Sequence, residues 1–274
     1  MYTLIGHPLS HSLSPRIHKL LFEIKGRTAE YSLTDIENLD AIDLRQFDGF
    51  NITIPHKKTV MSYLDDYFAA KEYGSVNCVV KRDEKLYGYN TDVYGFLGSI
   101  PQNICKGDVL MFGFGGAGVM VANEVKKSGG KLTIVCRKGK SFDVAKGFVT
   151  EQTNVVLFSD EMFDEQLNLD SHYDILINTT PVGMFPNTNA TPTTEKVVKT
   201  CDFVYDMIYN PSETKLLKIA SNLNIAHSSG LKMLVLQAAK SHEIWFGTEF
   251  SSNEIFKIQQ DCEKVLHDLN TDIQ

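Results

Sequence analysis

Apolar positions along the chain follow two periods. Short runs at residues 2–5, 49–54, 108–112, 131–136, 155–158, 174–178 and 203–206 have the length of buried strands. Beyond residue 108 these runs are separated by helix-length segments, the pattern of parallel strands joined by crossovers in a doubly wound sheet. Elsewhere the period is helical. Leu13, Ile17, Leu20, Leu21 and Ile24 repeat at helix spacing until Gly26, with Ser14 read as N-cap and Pro15 as the first helical residue. Residues 73–89 read as a hairpin, with strands 75–80 and 85–89 around the polar turn 81–84, and lead into a helical stretch from Val93. The run at 49–54 enters a helix whose first residue is read as Pro55. Residues 231–246 form a helix with a broad apolar face and Gln237 in its middle. Residues 252–269 form a capped amphipathic helix packing through Ile255, Ile258, Val265 and Leu266.

The run 108–112 enters Gly113-Phe114-Gly115-Gly116-Ala117-Gly118, followed by an uninterrupted helical segment. Glycines at the first, third and sixth positions between strand and helix form a dinucleotide-binding turn. Gly113 permits the bend, Gly115 lets the backbone approach a pyrophosphate, and Gly118 brings the helix against the strand. The free N–H groups of the helix start would receive the phosphates, so Gly113, Gly115, Gly116, Ala117 and Gly118 are the expected cofactor turn. An NAD site usually places an acid after the next strand. Here Cys136-Arg137-Lys138-Gly139-Lys140 follows, and the first acid is Asp143. A guanidinium fork at Arg137 with a lysine point charge at Lys138 or Lys140 suits a 2′-phosphate, so the expected cofactor is NADP.

Bulk properties narrow the class. With 274 residues and 43% hydrophobic content the chain can bury a sizeable core, and the hundred residues ahead of the glycine turn imply a second domain. A net charge of -7 and the lack of a basic stripe with interleaved aromatics argue against nucleic acid. Neither a signal-like start nor a membrane-length apolar run is present, so the expected location is the cytoplasm. Five scattered cysteines, an odd number, read as reduced thiols. His7 and His11 lack an obvious third ligand, and no metal site is expected.

Several polar residues break local rules. Lys57 and Lys58 fall in the first turn of the expected helix, where the macrodipole disfavours cations, and such breaks tend to mark function. Asp92 fits either an acid favoured at a helix start or a working carboxylate, and Asn77 either a turn cap or a ligand. Ser12, with no capping role of its own, is a better ligand candidate than Ser14.

Taken together, Ser12-Leu13-Ser14-Pro15, Asn51 to Lys57, Val76-Asn77, Asn90-Thr91-Asp92, the glycine turn, Asn178 to Met184, Asp206 to Pro211 and Gly230 to Gln237 resemble the shikimate dehydrogenase family over nearly the whole chain. The resemblance implies an α/β fold, with an N-terminal α/β substrate domain over residues 1–100, completed by C-terminal helices at 231–274. A Rossmann NADP-binding domain would span 101–230, and substrate would lie in the cleft between. It implies Lys57 and Asp92 as the catalytic pair, and Ser12, Ser14, Thr53, Asn77, Tyr209 and Gln237 around the hydroxyls and carboxylate of shikimate or 3-dehydroshikimate. Asn178, Thr179, Met207 and Gly230 would border the nicotinamide. The implied reaction is reversible NADP-dependent reduction of 3-dehydroshikimate on the route to chorismate and aromatic amino acids, by a monomer or homodimer without nucleic-acid or membrane partners.

Such a hydroxyl- and amide-rich site rejects analogues that lack a hydroxyl. The chain departs from the family at Cys136-Arg137-Lys138, where Asn-Arg-Thr is common. It departs again at Ser75 and Cys78, where Ala and Thr are usual. Two other assignments fit the same motifs: a paralogue acting on quinate or an aminated analogue, and a non-catalytic NADP-binding sensor. Retention of both Lys57 and Asp92 speaks against the sensor.

Overall fold

A computed structural model describes residues 1–9, 12–158 and 171–271. His11 lies outside the described residues, and His7 instead meets Asp35, with its Nδ1 2.6 Å from Oδ1. The chain forms two units: Met1–Gly98 with Lys232–Val265, and Ser99–Leu231 with the end of the chain from Leu266.

In the first unit, β1 (Tyr2–Gly6), β2 (Tyr31–Asp35), β3 (Gly49–Ile52), β4 (Cys78–Arg82) and β5 (Lys85–Tyr89) form one sheet in the order β2-β1-β3-β4-β5. The first three strands are parallel, and β4 and β5 are antiparallel additions. Alternation along β1 sends Ile5 into a core with Phe50, Ile52, Val79 and Leu86. Tyr2 points the other way, against Phe22 of α1 (Ser14–Ile24) and Trp245 and Phe246 of α7 (Leu231–Phe246). The Trp245 indole N–H donates to the Val79 carbonyl at 2.9 Å, pinning α7 to the sheet. The last helix, α8 (Ser252–Thr271), opens on a capping box in which Ser251 and Glu254 exchange hydrogen bonds.

Three local expectations are corrected. Ser14 is not an N-cap: the backbone is already helical at Leu13, and the Ser12 hydroxyl accepts the Ser14 N–H at 3.2 Å. No α-helix starts at Pro55. Residues 54–58 form a turn that passes into a 3-10 helix over Thr59–Tyr63, because the Lys57 carbonyl accepts from Val76 N–H at 2.8 Å. The macrodipole argument for Lys57 therefore falls away. The hairpin turn is two residues, Asp83 and Glu84, both at positive φ as a type I′ connection needs, so Lys81 and Arg82 stay in the strand.

The second unit holds β6 (Asp108–Phe112), β7 (Lys131–Arg137), β8 (Thr153–Phe158), β9 (Tyr173–Asn178), β10 (Cys201–Asp206) and β11 (Ala226–Ser229), ordered β11-β10-β9-β6-β7-β8 and parallel throughout. Read from β8, this is the doubly wound 3-2-1-4-5-6 order, whose connection reverses between β6 and β9. Leu110, Phe112, Val135, Leu176 and Val204 pack with α5 (Glu195–Val198) and α6 (Lys215–Asn222) through Val197, Val198, Leu216 and Leu217. Helix α3 (Gly116–Ser128) lies against β6 and β7. Among the described residues no helix is long and apolar enough to cross a membrane.

Candidate functional site

The first unit collects its polar motifs at one edge of its sheet. Ser12 and Ser14 follow β1, Thr53 and Lys57 follow β3, Asn77 precedes β4, and Asp92 follows β5 as the first residue of α2 (Asp92–Ser99). Register requires this. Ile5 pairs with Ile52, Asn51 with Cys78, and Cys78 with Tyr89, so the four chain segments leave the sheet side by side.

Lys57 Nζ donates to Asp92 Oδ2 at 2.6 Å, and Asn77 Nδ2 donates to Asp92 Oδ1 at 2.8 Å. The lysine is 31% and the aspartate 20% exposed, so the pair is open to a small ligand. Asn77 is 3% exposed and its amide can face only one way. Its Oδ1 accepts the Thr91 N–H at 2.6 Å, a group that only donates, which turns Nδ2 to the carboxylate. The Asn90 side chain accepts the Asp92 N–H at 3.1 Å and fixes the start of α2.

Gln237 of α7 donates from Nε2 to the Leu234 carbonyl, leaving Oε1 at 3.5 Å from both Asn77 Nδ2 and Thr91 Oγ1. A buried layer supports these amides. Asn51 donates to the Asn77 carbonyl at 3.1 Å and to Ser241 Oγ at 2.8 Å, Ser241 donates to the Gln237 carbonyl, and Tyr31 donates to Asn51 Oδ1. Lys57, Asp92, Asn77 and Gln237 are thus one hydrogen-bonded cluster. Ser12, Ser14 and Thr53 share the edge but make no hydrogen bond to it. Ser241 and Tyr31 lie outside the sequence motifs, and Thr91 lies inside Asn90-Thr91-Asp92 without an expected role of its own. The available signal was Ser241, one turn beyond Gln237 on the same helix.

In the second unit, the glycine turn sits at the switch point, where the fold places ligands beyond the carboxyl ends of the strands. Gly113 has φ +92, and a Cβ there would meet Thr180 and Thr179 side-chain atoms at 2.7 and 2.9 Å. A Cβ on Gly118 would sit 2.9 Å from the Gly113 carbonyl, so the close approach of α3 to the strand needs glycine. At Gly115, the N-cap of α3, and at Gly116 nothing lies within 4 Å, and that space is open to a phosphate. A cavity of about 460 Å³ runs from this turn past residues 135–141 to residues 179–182, Thr191 and Pro192.

Arg137 ends β7 on the rim of that cavity, followed by Lys138 and by Lys140, the first residue of α4 (Lys140–Lys146). Among the described residues none of these three cations has an acidic partner, and Ser141 lines the cavity with them. Open backbone at the turn and unpaired cations at the rim fit a dinucleotide bearing an extra phosphate. Cys136 is buried and its thiol is pushed up to about 11 by that burial, so it lines the cavity as an inert group.

Asn178 and Thr179 end β9 and follow it, and Met207 follows β10, with the Met207 N–H on the Asn178 carbonyl at 3.1 Å. A Cβ at Gly230 would collide with the Met207 carbonyl at 2.1 Å, which brings residue 230 onto this group. Tyr209 stands in the same loop, its phenol raised by burial.

A family model described as the shikimate dehydrogenase substrate binding domain matches residues 4–79. Shikimate dehydrogenase (NADP(+)) of Clostridium beijerinckii is 40% identical over 256 residues, 89% of this chain and 91% of its own. The chain belongs to the shikimate dehydrogenase family. Among solved structures, shikimate dehydrogenase 1 of Peptoclostridium difficile superposes with a TM-score of 0.81 at 33% identity, over 97% of this chain and 98% of its own. The Thermus thermophilus shikimate 5-dehydrogenase, crystallised with NADP(H) and shikimate, gives a TM-score of 0.78 at 28% identity over 95% and 98% of the two chains. The family's α/β architecture is the one described above, a mixed sheet in one unit and a doubly wound sheet in the other.

Proposed function

We propose that this chain is an NADP-dependent shikimate dehydrogenase that interconverts 3-dehydroshikimate and shikimate on the route to chorismate and aromatic amino acids. The observation that carries the reading is the partly exposed Lys57–Asp92 pair, set on a sheet edge otherwise furnished with hydroxyls and amides. NADP, when bound at the glycine turn, supplies or accepts the hydride.

The chain's own groups handle the proton and the substrate. In the reducing direction the Lys57 ammonium gives its proton to the oxygen at C3 as the carbonyl becomes an alkoxide, and in oxidation the neutral amine takes it back. Asp92 has both oxygens engaged by donors, so its part is to aim Lys57 and to accept from the substrate hydroxyl. Ser12, Ser14, Thr53, Asn77 and Gln237 hold the hydroxyls and carboxylate, with Tyr209 near the carboxylate. The backbone of Gly113, Gly115, Gly116, Ala117 and Gly118 receives the pyrophosphate, Arg137 and Lys138 hold the 2′-phosphate, and Asn178, Thr179, Met207 and Gly230 border the nicotinamide. The residues 1–100 and 231–274 make the substrate domain in this reading, and 101–230 the cofactor domain. Five buried free thiols suit a reducing, cytoplasmic setting, in which we infer a monomer or homodimer.

The test is NADP reduction by the purified protein with shikimate, run beside NAD and beside quinate. Turnover with shikimate and NADP alone is expected. Turnover favouring quinate or NAD would replace the substrate or cofactor assignment, and silence with all four pairs would leave a binding protein.

A further inference from the structure

The second unit buries a carboxylate that the reaction above does not use. Asp206, the last residue of β10, is 0% exposed, and its three polar contacts among the described residues are all donors. Asn178 Nδ2 reaches Oδ1 at 3.0 Å, Ile208 N–H reaches the same oxygen at 3.1 Å, and the Thr214 hydroxyl reaches Oδ2 at 2.6 Å. No cation pairs with it among the described residues. An enclosed carboxylate without a counter-ion is costly, and burial pushes this one up to about 6 in spite of its donors.

The contacts show what the carboxylate holds. Asn178, gripped through Nδ2, turns Oδ1 to the Thr180 N–H at 3.0 Å and the Thr180 hydroxyl at 2.7 Å, and Thr180 Oγ1 accepts the Val182 N–H. Residues 179–182 are one wall of the nucleotide cavity, and Thr179 and Thr180 are the side chains that crowd Gly113. On the other side, Ile208 N–H fixes the turn through Met207, and Thr214 caps α6 by accepting the Leu217 N–H. One carboxylate therefore ties the ends of β9 and β10 to the start of α6.

We infer that Asp206 is a positioning residue for the cofactor: through Asn178 and the Ile208 N–H it sets the 179–182 wall and the Met207 turn of the nucleotide cavity. The inference rests on the reading of that cavity as the NADP site. An asparagine at 206 keeps the shape, but Asn178 Nδ2 and Ile208 N–H only donate, so its NH2 must face Thr214, whose hydroxyl then gives up its donation to a carboxylate and accepts instead, and the charge-assisted side of the knot is lost.

The test measures NADP binding to the intact protein by titration calorimetry, together with the KM values for NADP and shikimate and the melting temperature. Asp206→Asn is expected to weaken NADP about tenfold in Kd and in its KM, with the shikimate KM within about twofold. Thr214→Val is expected to weaken NADP several-fold and Thr214→Ser to restore it, which keeps the question answerable should Asp206→Asn not fold. Lowered melting temperatures with native NADP affinity in Asp206→Asn and Thr214→Val would overturn the inference and leave Asp206 as a fold element. Absence of NADP binding by the unaltered protein would instead overturn the cofactor reading itself.

Discussion

Lys57 Nζ lies 2.6 Å from Asp92 Oδ2, and the opposite oxygen of that carboxylate is held by Asn77 Nδ2 at 2.8 Å. The carboxylate is anchored from its buried side and the lysine stands at its open side. A group that moves a proton must be reachable and aimed, and Lys57 is the more exposed of the pair and is aimed by the carboxylate. Lys57→Ala is expected to lower kcat by about 10²–10⁴-fold, the range of acid–base catalysis, with shikimate Kd by calorimetry within a few-fold. Turnover within tenfold of the native enzyme would remove Lys57 from the proton-transfer role.

Asp92→Asn tests the aiming role. The new NH2 must face Lys57 or Asn77 Nδ2, both donors, so one of the two contacts is lost. The expected loss in kcat is about 10²-fold, and adding it to Lys57→Ala is expected to cost little more, since groups acting as a unit are not additive. Full additivity of the two losses in a double-mutant cycle would show that the residues work separately.

Gly115 and Gly118 of the turn separate folding from binding. Gly115 has open space where a Cβ would go, whereas Gly118 has the Gly113 carbonyl at 2.9 Å and Thr179 Oγ1 at 3.1 Å. Gly115→Ala is expected to melt like the native protein yet lose NADP affinity by at least about tenfold, because the methyl fills the space a phosphate needs. Gly118→Ala is expected to lower the melting temperature, by about 1–3 kcal/mol of stability for an overpacked contact. Native NADP affinity in Gly115→Ala would place the pyrophosphate elsewhere.

Arg137, Lys138 and Lys140 carry charge that nothing among the described residues neutralises. Arg137→Ala is expected to raise the KM for NADP by about tenfold and to leave that for NAD nearly unchanged, since only the 2′-phosphate meets the fork. Its NADP KM is also expected to depend less on salt than that of the native enzyme. Equal effects on the two cofactors would mean that Arg137 supports the loop and does not read the phosphate.

These features differ in how far the chain alone discloses them. The glycine turn is legible because the backbone demand and the residue type coincide, at φ +92 for Gly113 and at the close approach of Gly118. Strands β2 and β11 escape because they are edge strands with few buried residues and no apolar alternation. Pro55 suits a helix start and a turn alike, and the choice is made by the Lys57 carbonyl bonding to Val76, nineteen residues away in sequence. Ser14 loses its expected capping role for a local reason: backbone at Leu13 turns helical one residue earlier than composition suggests, and the Ser12 hydroxyl accepts the Ser14 N–H. Asp206 is hardest to find, since its partners come from residues 178, 208 and 214, and no local pattern joins them.

His18 and His242 give the first unit a calculable response to acid. Their rings meet through Nδ1 and Nε2 at 3.0 Å, at 0% and 1% exposure, with His18 stacked 3.8 Å from Tyr31 and His242 among Phe22, Phe246 and Phe250. Burial holds both imidazoles neutral, His18 well below its ordinary value and His242 down to about 3. Because the folded values lie below the unfolded value near 6.5, the stability these residues allow is complete above pH 6.5. As pH falls from there toward 3, the unfolded chain takes up protons that the folded one refuses, at up to about 1.4 kcal/mol per pH unit for each histidine. Asp206, raised to about 6, acts oppositely: its burial costs stability as pH rises from about 4 to 6. Comparing a variant with the native protein cancels that term. Urea midpoints at pH 7.5, 6 and 5 are therefore expected to fall less steeply for His242→Gln than for the native chain, whatever the loss at pH 7.5. Parallel slopes would mean that His242 takes up its proton in the folded state as readily as in the unfolded one and that its burial is not what limits acid stability.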